Sequence, residues 1–80
     1  FNPITNIEYY VPNAGQVTMV VYNVLGQKVK TLVNRHLGAG KHYAIWDGLD
    51  DNGNMVSSGI YFYQLRGKGA AITKKMTFLK

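Results

Sequence analysis

The stretch from Gly38 to Leu65 constrains the fold of this 80-residue chain more than any other segment. It contains two segments of alternating apolar and polar residues, separated by a region dense in Gly, Asp and Asn. Alternation with a period of two is typical of β-strands, and Asp, Asn and Gly favour the turns between them. The sequence therefore predicts that the two segments form a hairpin of a β-sandwich and not an active site.

Period-two alternation extends along the whole chain, and no segment shows apolar residues at helical spacing. Inner strands are expected at 16–24 and 60–66, because both faces of these segments carry apolar residues. The first should pair with 28–33 as a hairpin, the second should pair with the final strand, and 34–40 is expected to be a polar, Gly-rich connection. The prediction is an all-β, immunoglobulin-like antiparallel β-sandwich of about seven short strands, with a small barrel as the alternative.

The core is expected to form from the alternating apolar residues, with Trp46 at its centre. Its indole buries more surface than any other side chain of the chain, and the N–H needs a hydrogen-bond partner. There is no cysteine, so apolar packing has to stabilise the fold without disulfides. No repeat or linker divides the chain, which is predicted to be one domain over residues 1–80. The predicted core residues are Val17, Met19, Val21, Trp46, Tyr61, Tyr63 and Leu65.

Basic residues crowd the C-terminal end of the chain, whose formal net charge is +5. Such a patch attracts anionic partners, whereas lysines on an edge strand also prevent it from pairing with other chains, and the second interpretation is favoured. No apolar run reaches the roughly 18 residues that a membrane span needs, so no transmembrane segment is expected. The basic residues of this end are Arg66, Lys68, Lys74, Lys75 and Lys80.

The residues that could bind a metal or take part in catalysis are better explained by structural roles. Asp47, Asp50 and Asp51 do not have the spacing of a regular calcium loop, so Asx turns are favoured over an irregular calcium site. His36 and His42 have no third metal ligand at a suitable spacing. No serine lies in the strained turn of a hydrolytic nucleophile, and the strand tyrosines are expected to pack in the core instead of stacking on nucleic acid. The sequence predicts no enzyme, no catalytic residue, no metal or cofactor, and no nucleic-acid partner.

Five segments of the chain carry a resemblance to known families. They are Phe1-Asn2-Pro3 with Thr5 and Ile7, VTMVVYNVLGQKVKTL at 17–32, AGKHYAIWDG at 39–48, DNGNMVSSGIYFYQL at 51–65, and KKMTFLK at 74–80. Together they resemble the type A C-terminal sorting domain of type IX secretion, and they are similar to the Ig-like domain of the flagellar hook-capping protein. The resemblance covers nearly the whole chain and implies an Ig-like β-sandwich.

The sorting-domain resemblance implies a non-enzymatic sorting and anchoring domain at the C-terminus of a longer secreted protein. Such a domain targets its cargo across the outer membrane to the cell surface, where a sortase often joins the cargo to anionic lipopolysaccharide. The implied partners are proteins of the secretion machinery and lipopolysaccharide. The positions implied in recognition are Gly59, Tyr61, Lys74, Lys75 and Lys80.

The hook-capping resemblance implies the alternative function, a structural or assembly module that associates with neighbouring copies of itself. Strand edges would then pair between subunits. An accessory carbohydrate-binding domain, using exposed aromatic rings, is a third hypothesis. Both resemblances imply a secreted or cell-surface location outside the cytoplasm.

Overall fold

A computed structural model of the chain describes residues 4–80, which form six antiparallel strands. Strands β1 and β4 make a two-stranded sheet, and the other four make a sheet in the order β3-β2-β5-β6. The architecture is the predicted all-β, Ig-like antiparallel sandwich, with six strands instead of about seven. Phe1, Asn2 and Pro3, which open the resemblance, lie outside the described residues. The strands are β1 (Thr5–Val11), β2 (Gly15–Tyr22), β3 (Lys28–Leu37), β4 (Gly40–Trp46), β5 (Gly59–Gly67) and β6 (Ala70–Phe78).

Turn chemistry fixes the predicted hairpin between β2 and β3. The Asn23 carbonyl accepts the N–H of Gly26 at 3.0 Å, and Asn23 Oδ1 accepts the N–H groups of Leu25 and Gln27, each at 3.0 Å. Gly26 has φ +79°, a conformation that strains other residues. The predicted hairpin of β5 with β6 is also present, and both β2 and β5 are inner strands as predicted.

The predicted hairpin between β4 and β5 is wrong. Strand β4 pairs with β1, in a register running from Thr5 opposite Trp46 to Val11 opposite Gly40, whereas β5 pairs with β2 and β6. The residues 47–58 instead carry the chain from the small sheet to the large one. Strands that are consecutive in the chain often pair with each other. The alternation of apolar and polar residues, however, is the same in a hairpin partner and in a strand of the facing sheet.

Strand β3 is longer than predicted, since it continues to Leu37 where a loop was expected from residue 34. Its residues 34–36 are polar and exposed at the edge of the large sheet, and this polar pattern is why a connection was predicted there. Two register shifts against β2 leave Val29 and Leu32 unpaired, as in β-bulges. The bulges break strict alternation. Leu32 therefore packs against the core, although alternation along β3 predicted that its side chain faces away from the core.

Apolar side chains fill the space between the sheets in two clusters. Trp46 is fully buried in one of them, with ring centroids 5.1 Å from Tyr61 and 5.0 Å from Phe78, and its indole N–H donates to the Leu49 carbonyl at 3.0 Å. Among the predicted core residues, Tyr63 and Leu65 are only half-buried and pack at the margin of the clusters. The buried ones are Val17, Met19, Val21, Trp46 and Tyr61.

Candidate interaction surface

The acidic turn that follows β4 uses its carboxylates within the fold. Asp47 Oδ1 accepts one backbone N–H of its own turn at 3.1 Å and Asp50 Oδ1 accepts two at 2.9 Å, which is Asx-turn geometry. Asp51 Oδ1 accepts the N–H of Thr31 at 3.2 Å, and its Oδ2 lies 3.8 Å from Lys28 Nζ. These contacts tie the turn to β3. Within residues 4–80, no three His, Cys, Asp or Glu side chains are grouped to hold a metal ion.

The two histidines lie in different sheets and have separate surroundings. His42 Nε2 donates to the Gly38 carbonyl at 2.8 Å, and its ring stacks on Tyr9 with centroids 5.7 Å apart. His36 is exposed on β3. Burial raises the pKa of the Tyr9 phenol, and the charge of Arg35 offsets part of that rise. The rings of Tyr9 and His42 therefore belong to the packing of β1 with β4.

Three of the predicted recognition residues lie at one end of the sandwich. Gly59 opens β5, and the buried Tyr61 donates its phenolic hydrogen to the Ser57 carbonyl at 2.7 Å. The backbone N–H of Lys80 donates to Ser58 Oγ at 3.1 Å, which joins the end of the chain to the start of β5. Tyr61 is consequently placed to stabilise the fold, because a buried ring does not meet a partner directly.

The other two predicted recognition residues, Lys74 and Lys75, point to opposite faces of β6. Successive side chains of a strand alternate between faces, so Lys74 shares the inner face with Met76 and Phe78 while Lys75 lies on the outer face. In the register, Lys75 is opposite Phe62 of β5. The terminal lysines therefore do not form one continuous surface.

Both the small sheet and β6 have unpaired edges. Strand β1 has β4 as its neighbour and β6 has β5, so one edge of each strand carries backbone N–H and C=O groups without a strand partner among residues 4–80. The residues of β6 are exposed from Ala70 to Lys75. Such edges are sites at which another extended chain can pair.

A cleft lies between the unpaired edge of β1 and the inner faces of β5 and β6. Its wider part has a volume of about 430 Å³, and a narrower part of about 90 Å³ continues toward the turn that joins β5 to β6. Lys68 lies at the narrow end, and Arg66 borders it with its Nε donating to Gln64 Oε1 on the outer face of β5 at 3.1 Å. At the wide end, Glu8 Oε1 is 3.7 Å from Lys41 Nζ. We call this the β1–β6 cleft, and its defining residues are Tyr10, Pro12, Tyr63, Leu65, Ile72 and Lys74.

Comparison with known proteins identifies the family. A family model described as the FlgD Ig-like domain matches residues 4–70. The chain belongs to the FlgD Ig-like domain family. A crystal structure of FlgD from P. aeruginosa has a TM-score of 0.71 and 26% sequence identity, and the match covers 96% of this chain and 60% of that one. The chain thus spans about three fifths of the FlgD structure that it matches. No curated protein matches it.

The FlgD matches favour one of the two resemblances. Both support the similarity to the hook-capping Ig-like domain, and neither supports the type IX sorting domain. The family match ends at Ala70, where β6 begins, so Lys74, Lys75 and Lys80 lie beyond it. No helix that could cross a membrane occurs among residues 4–80 of this FlgD Ig-like domain.

The sequence interpretation missed the cleft of this FlgD Ig-like domain, although one signal was present. Ile72, Lys74, Met76 and Phe78 have the same phase in β6, so period-two alternation places a lysine on the inward face. A lysine in an inward position indicates that no strand covers the sheet there, since a buried ammonium group would need a partner. The contribution of Tyr10 of β1 and of Pro12, which follows β1, required the sheet topology.

Proposed function

We propose that this FlgD Ig-like domain is a non-enzymatic structural module of an exported protein assembly outside the cytoplasm, as in the flagellar hook cap. The match of residues 4–70 to the FlgD Ig-like family carries the proposal. The structural similarity to FlgD from P. aeruginosa, at 26% identity, supports it. The domain would contribute a rigid body whose strand edges and faces contact neighbouring subunits, whether copies of the same protein or other assembly components.

The described part of the chain suits a rigid structural module. Aromatic packing around Trp46 closes one end of the sandwich, and no buried side-chain nitrogen or oxygen among residues 4–80 lacks a hydrogen bond. Large apolar side chains are nevertheless exposed on both sheets and in the turn after β2, including Tyr43, Leu25 and Ile45. Contiguous exposed apolar groups are typical of surfaces that contact other proteins, and Tyr43 and Ile45 are neighbours on the outer face of β4.

A domain exchange tests the proposed function. Residues 4–80 would replace the Ig-like domain of FlgD in a flagellated host that lacks its own copy, and hook assembly would be scored by electron microscopy. The proposal predicts that the chimera assembles hooks. The matched control carries an unrelated Ig-like sandwich of similar size and should assemble none. A chimera that is exported normally yet behaves like this control would contradict the assembly role.

The sorting and anchoring role has less support than the assembly role. Neither comparison supports it, and the lysines that the resemblance implies in recognition are divided between two faces of β6. A reporter fused to the whole chain in a type IX-competent host would test it directly. Surface delivery of the reporter that is lost when Lys74, Lys75 and Lys80 are replaced together would support sorting by the secretion machinery. Retention in the periplasm would remove the sorting role.

A further inference from the structure

The small sheet does not cover the whole inner face of the large sheet. Met19 of β2, Leu65 of β5 and Ile72 of β6 lie side by side in register. Met19 has no exposed surface, Leu65 is half-buried, and Ile72 is 52% exposed. The next row repeats this trend from the buried Val21 to the exposed Lys74. The small sheet therefore covers the inner face of the large sheet less and less toward β6.

One additional strand beside β1 would supply the missing cover. Neighbouring strands lie about 4.8 Å apart and facing sheets about 10 Å apart, so a strand paired to the unpaired edge of β1 would lie above β5 and β6. Its inward side chains would contact Leu65 and Ile72, and its backbone would use the N–H and C=O groups that β1 leaves unpaired. This is β-strand addition, in which the backbone provides affinity and alternate side chains provide specificity.

The charge of the cleft defines the chemistry of that strand. Among residues 4–80, Lys74 makes no salt bridge, and Lys68 lies at the narrow end without a carboxylate partner. Arg66 does not add to this charge, because it alternates to the outer face of β5 and donates there from Nε to Gln64 Oε1 at 3.1 Å. The one carboxylate that lines the cleft, that of Glu8, already faces Lys41. An occupant with carboxylates would neutralise these charges, whereas a basic occupant would add to the repulsion.

A strand from a second copy of this chain fits the cleft poorly. Glu8 is the one acidic residue within the six strands, and it lies on the exposed outer face of β1, so β1 of a second copy would bring no carboxylate into the cleft. The other edge strands are basic. Strand β3 carries Lys28, Lys30 and Arg35, and β6 carries two lysines of its own. We propose that the β1–β6 cleft binds an extended segment of a different protein, in which apolar residues alternate with others and a carboxylate occupies an inward position opposite Lys74. The inference rests on the proposed assembly role, and it names the kind of partner that this role would use.

Synthetic peptides test the cleft without a flagellar host. The probe is a nine-residue peptide of alternating threonine and valine, with glutamate in place of the third valine; a second peptide has lysine at that position. Each peptide is titrated into the isotopically labelled 80-residue chain, and amide shifts are followed by NMR. The glutamate peptide should shift residues of β1 and β6 more than those of β3. It should bind at least about fivefold more tightly than the lysine peptide, because one exposed ion pair becomes a repulsive pair.

Two charge-reversal variants separate the cleft from general electrostatic attraction. Lys74→Glu and Lys75→Glu change the net charge equally, and both side chains are exposed, but they lie on opposite faces of β6. Lys74→Glu should reverse the preference between the two peptides, and Lys75→Glu should change either affinity by less than about twofold. Equal effects of the two variants, or shifts centred on β3, would overturn the proposal.

The same titration distinguishes a second copy from a foreign partner. If the chain alone self-associates through β1 and β6 more tightly than it binds the glutamate peptide, a second copy is the occupant and the proposal is wrong. Absence of peptide binding would overturn the cleft proposal and leave the domain-exchange result untouched. Loss of hook assembly in the exchange, with intact peptide binding, would instead contradict the hook-cap role.

Discussion

Replacing Gly48 with alanine tests the packing of the aromatic cluster around Trp46. Gly48 is buried where the chain leaves β4, its φ is +79°, and its carbonyl accepts the Val56 N–H at 2.9 Å. A Cβ at this position would overlap Phe78 Cζ and lie 2.6 Å from Phe78 Cε1. Phe78 is only 1% exposed, and its ring is 5.0 Å from that of Trp46, so it cannot move away without disturbing the cluster.

Two separate costs contribute to the expected destabilisation. An alanine with positive φ costs about 1–2 kcal/mol, and overpacking a filled core costs about 1–3 kcal/mol. Gly53→Ala isolates the first cost, because Gly53 has φ +82° but no atom within 4 Å of its Cβ position. We therefore expect Gly48→Ala to lower the free energy of unfolding by about 2–5 kcal/mol and Gly53→Ala by about 1–2 kcal/mol.

Urea denaturation followed by the fluorescence of the one tryptophan measures both variants. Because 1 kcal/mol corresponds to about 4–8 °C in a domain of this size, Gly48→Ala should also melt at least about 4 °C below Gly53→Ala. Adding Phe78→Leu should recover part of the Gly48→Ala loss, as expected for two residues that compete for space. Equal midpoints for the two glycine variants would refute the claim that Phe78 fills the space beside Gly48.

Three further substitutions test single contacts. Tyr61→Phe keeps the ring but removes the hydroxyl that donates to Ser57, and thermal unfolding should show a loss of about 1 kcal/mol; an unchanged midpoint would contradict the contact. Asp50→Ala removes an acceptor of two turn N–H groups and should cost about 1–2 kcal/mol in urea, whereas Asp50→Asn should retain most of the stability. Burial raises the pKa of Tyr9 above the ordinary phenol value of 10.0, so the neutral phenol is favoured in the folded state. The stabilisation is present below pH 10.0 and is lost as the pH rises through the folded-state pKa. Tyr9→Phe should reduce this alkaline loss relative to Tyr10→Phe, and identical pH profiles would contradict the shift.

The inner strands could be predicted from sequence because apolar residues occupy both faces of their segments. The segments of β2 and β5 carry apolar residues on both faces, and such a strand is stable only with neighbours on both sides and some cover on both faces. The position of Trp46 also followed from its size. Each of these inferences depends on a local property that the chain carries along a single strand.

The assignment of strands to sheets could not be predicted in the same way. Strand β4 alternates as cleanly as any other, and its buried Ala44 and Trp46 would fit either a hairpin with β5 or a strand of the facing sheet. The deciding contacts are long-range, including the pairing of β1 with β4 and the tie from Asp51 to β3. The end of β3 was missed because an edge strand needs few apolar residues, and 34–36 has none.

The lysines of β6 show why charge along a sequence is a poor guide to a binding surface on a sheet. Lys74 and Lys75 are adjacent in the chain, yet the pleat of the strand puts one in the β1–β6 cleft and the other on the opposite face. A partner that adds as a strand to β1 would meet Lys74 together with Ile72, two residues away, and would not meet Lys75. On a strand, the residues that act together are therefore those at alternate positions, and for this domain they combine an apolar side chain with a positive charge that the fold itself leaves uncovered.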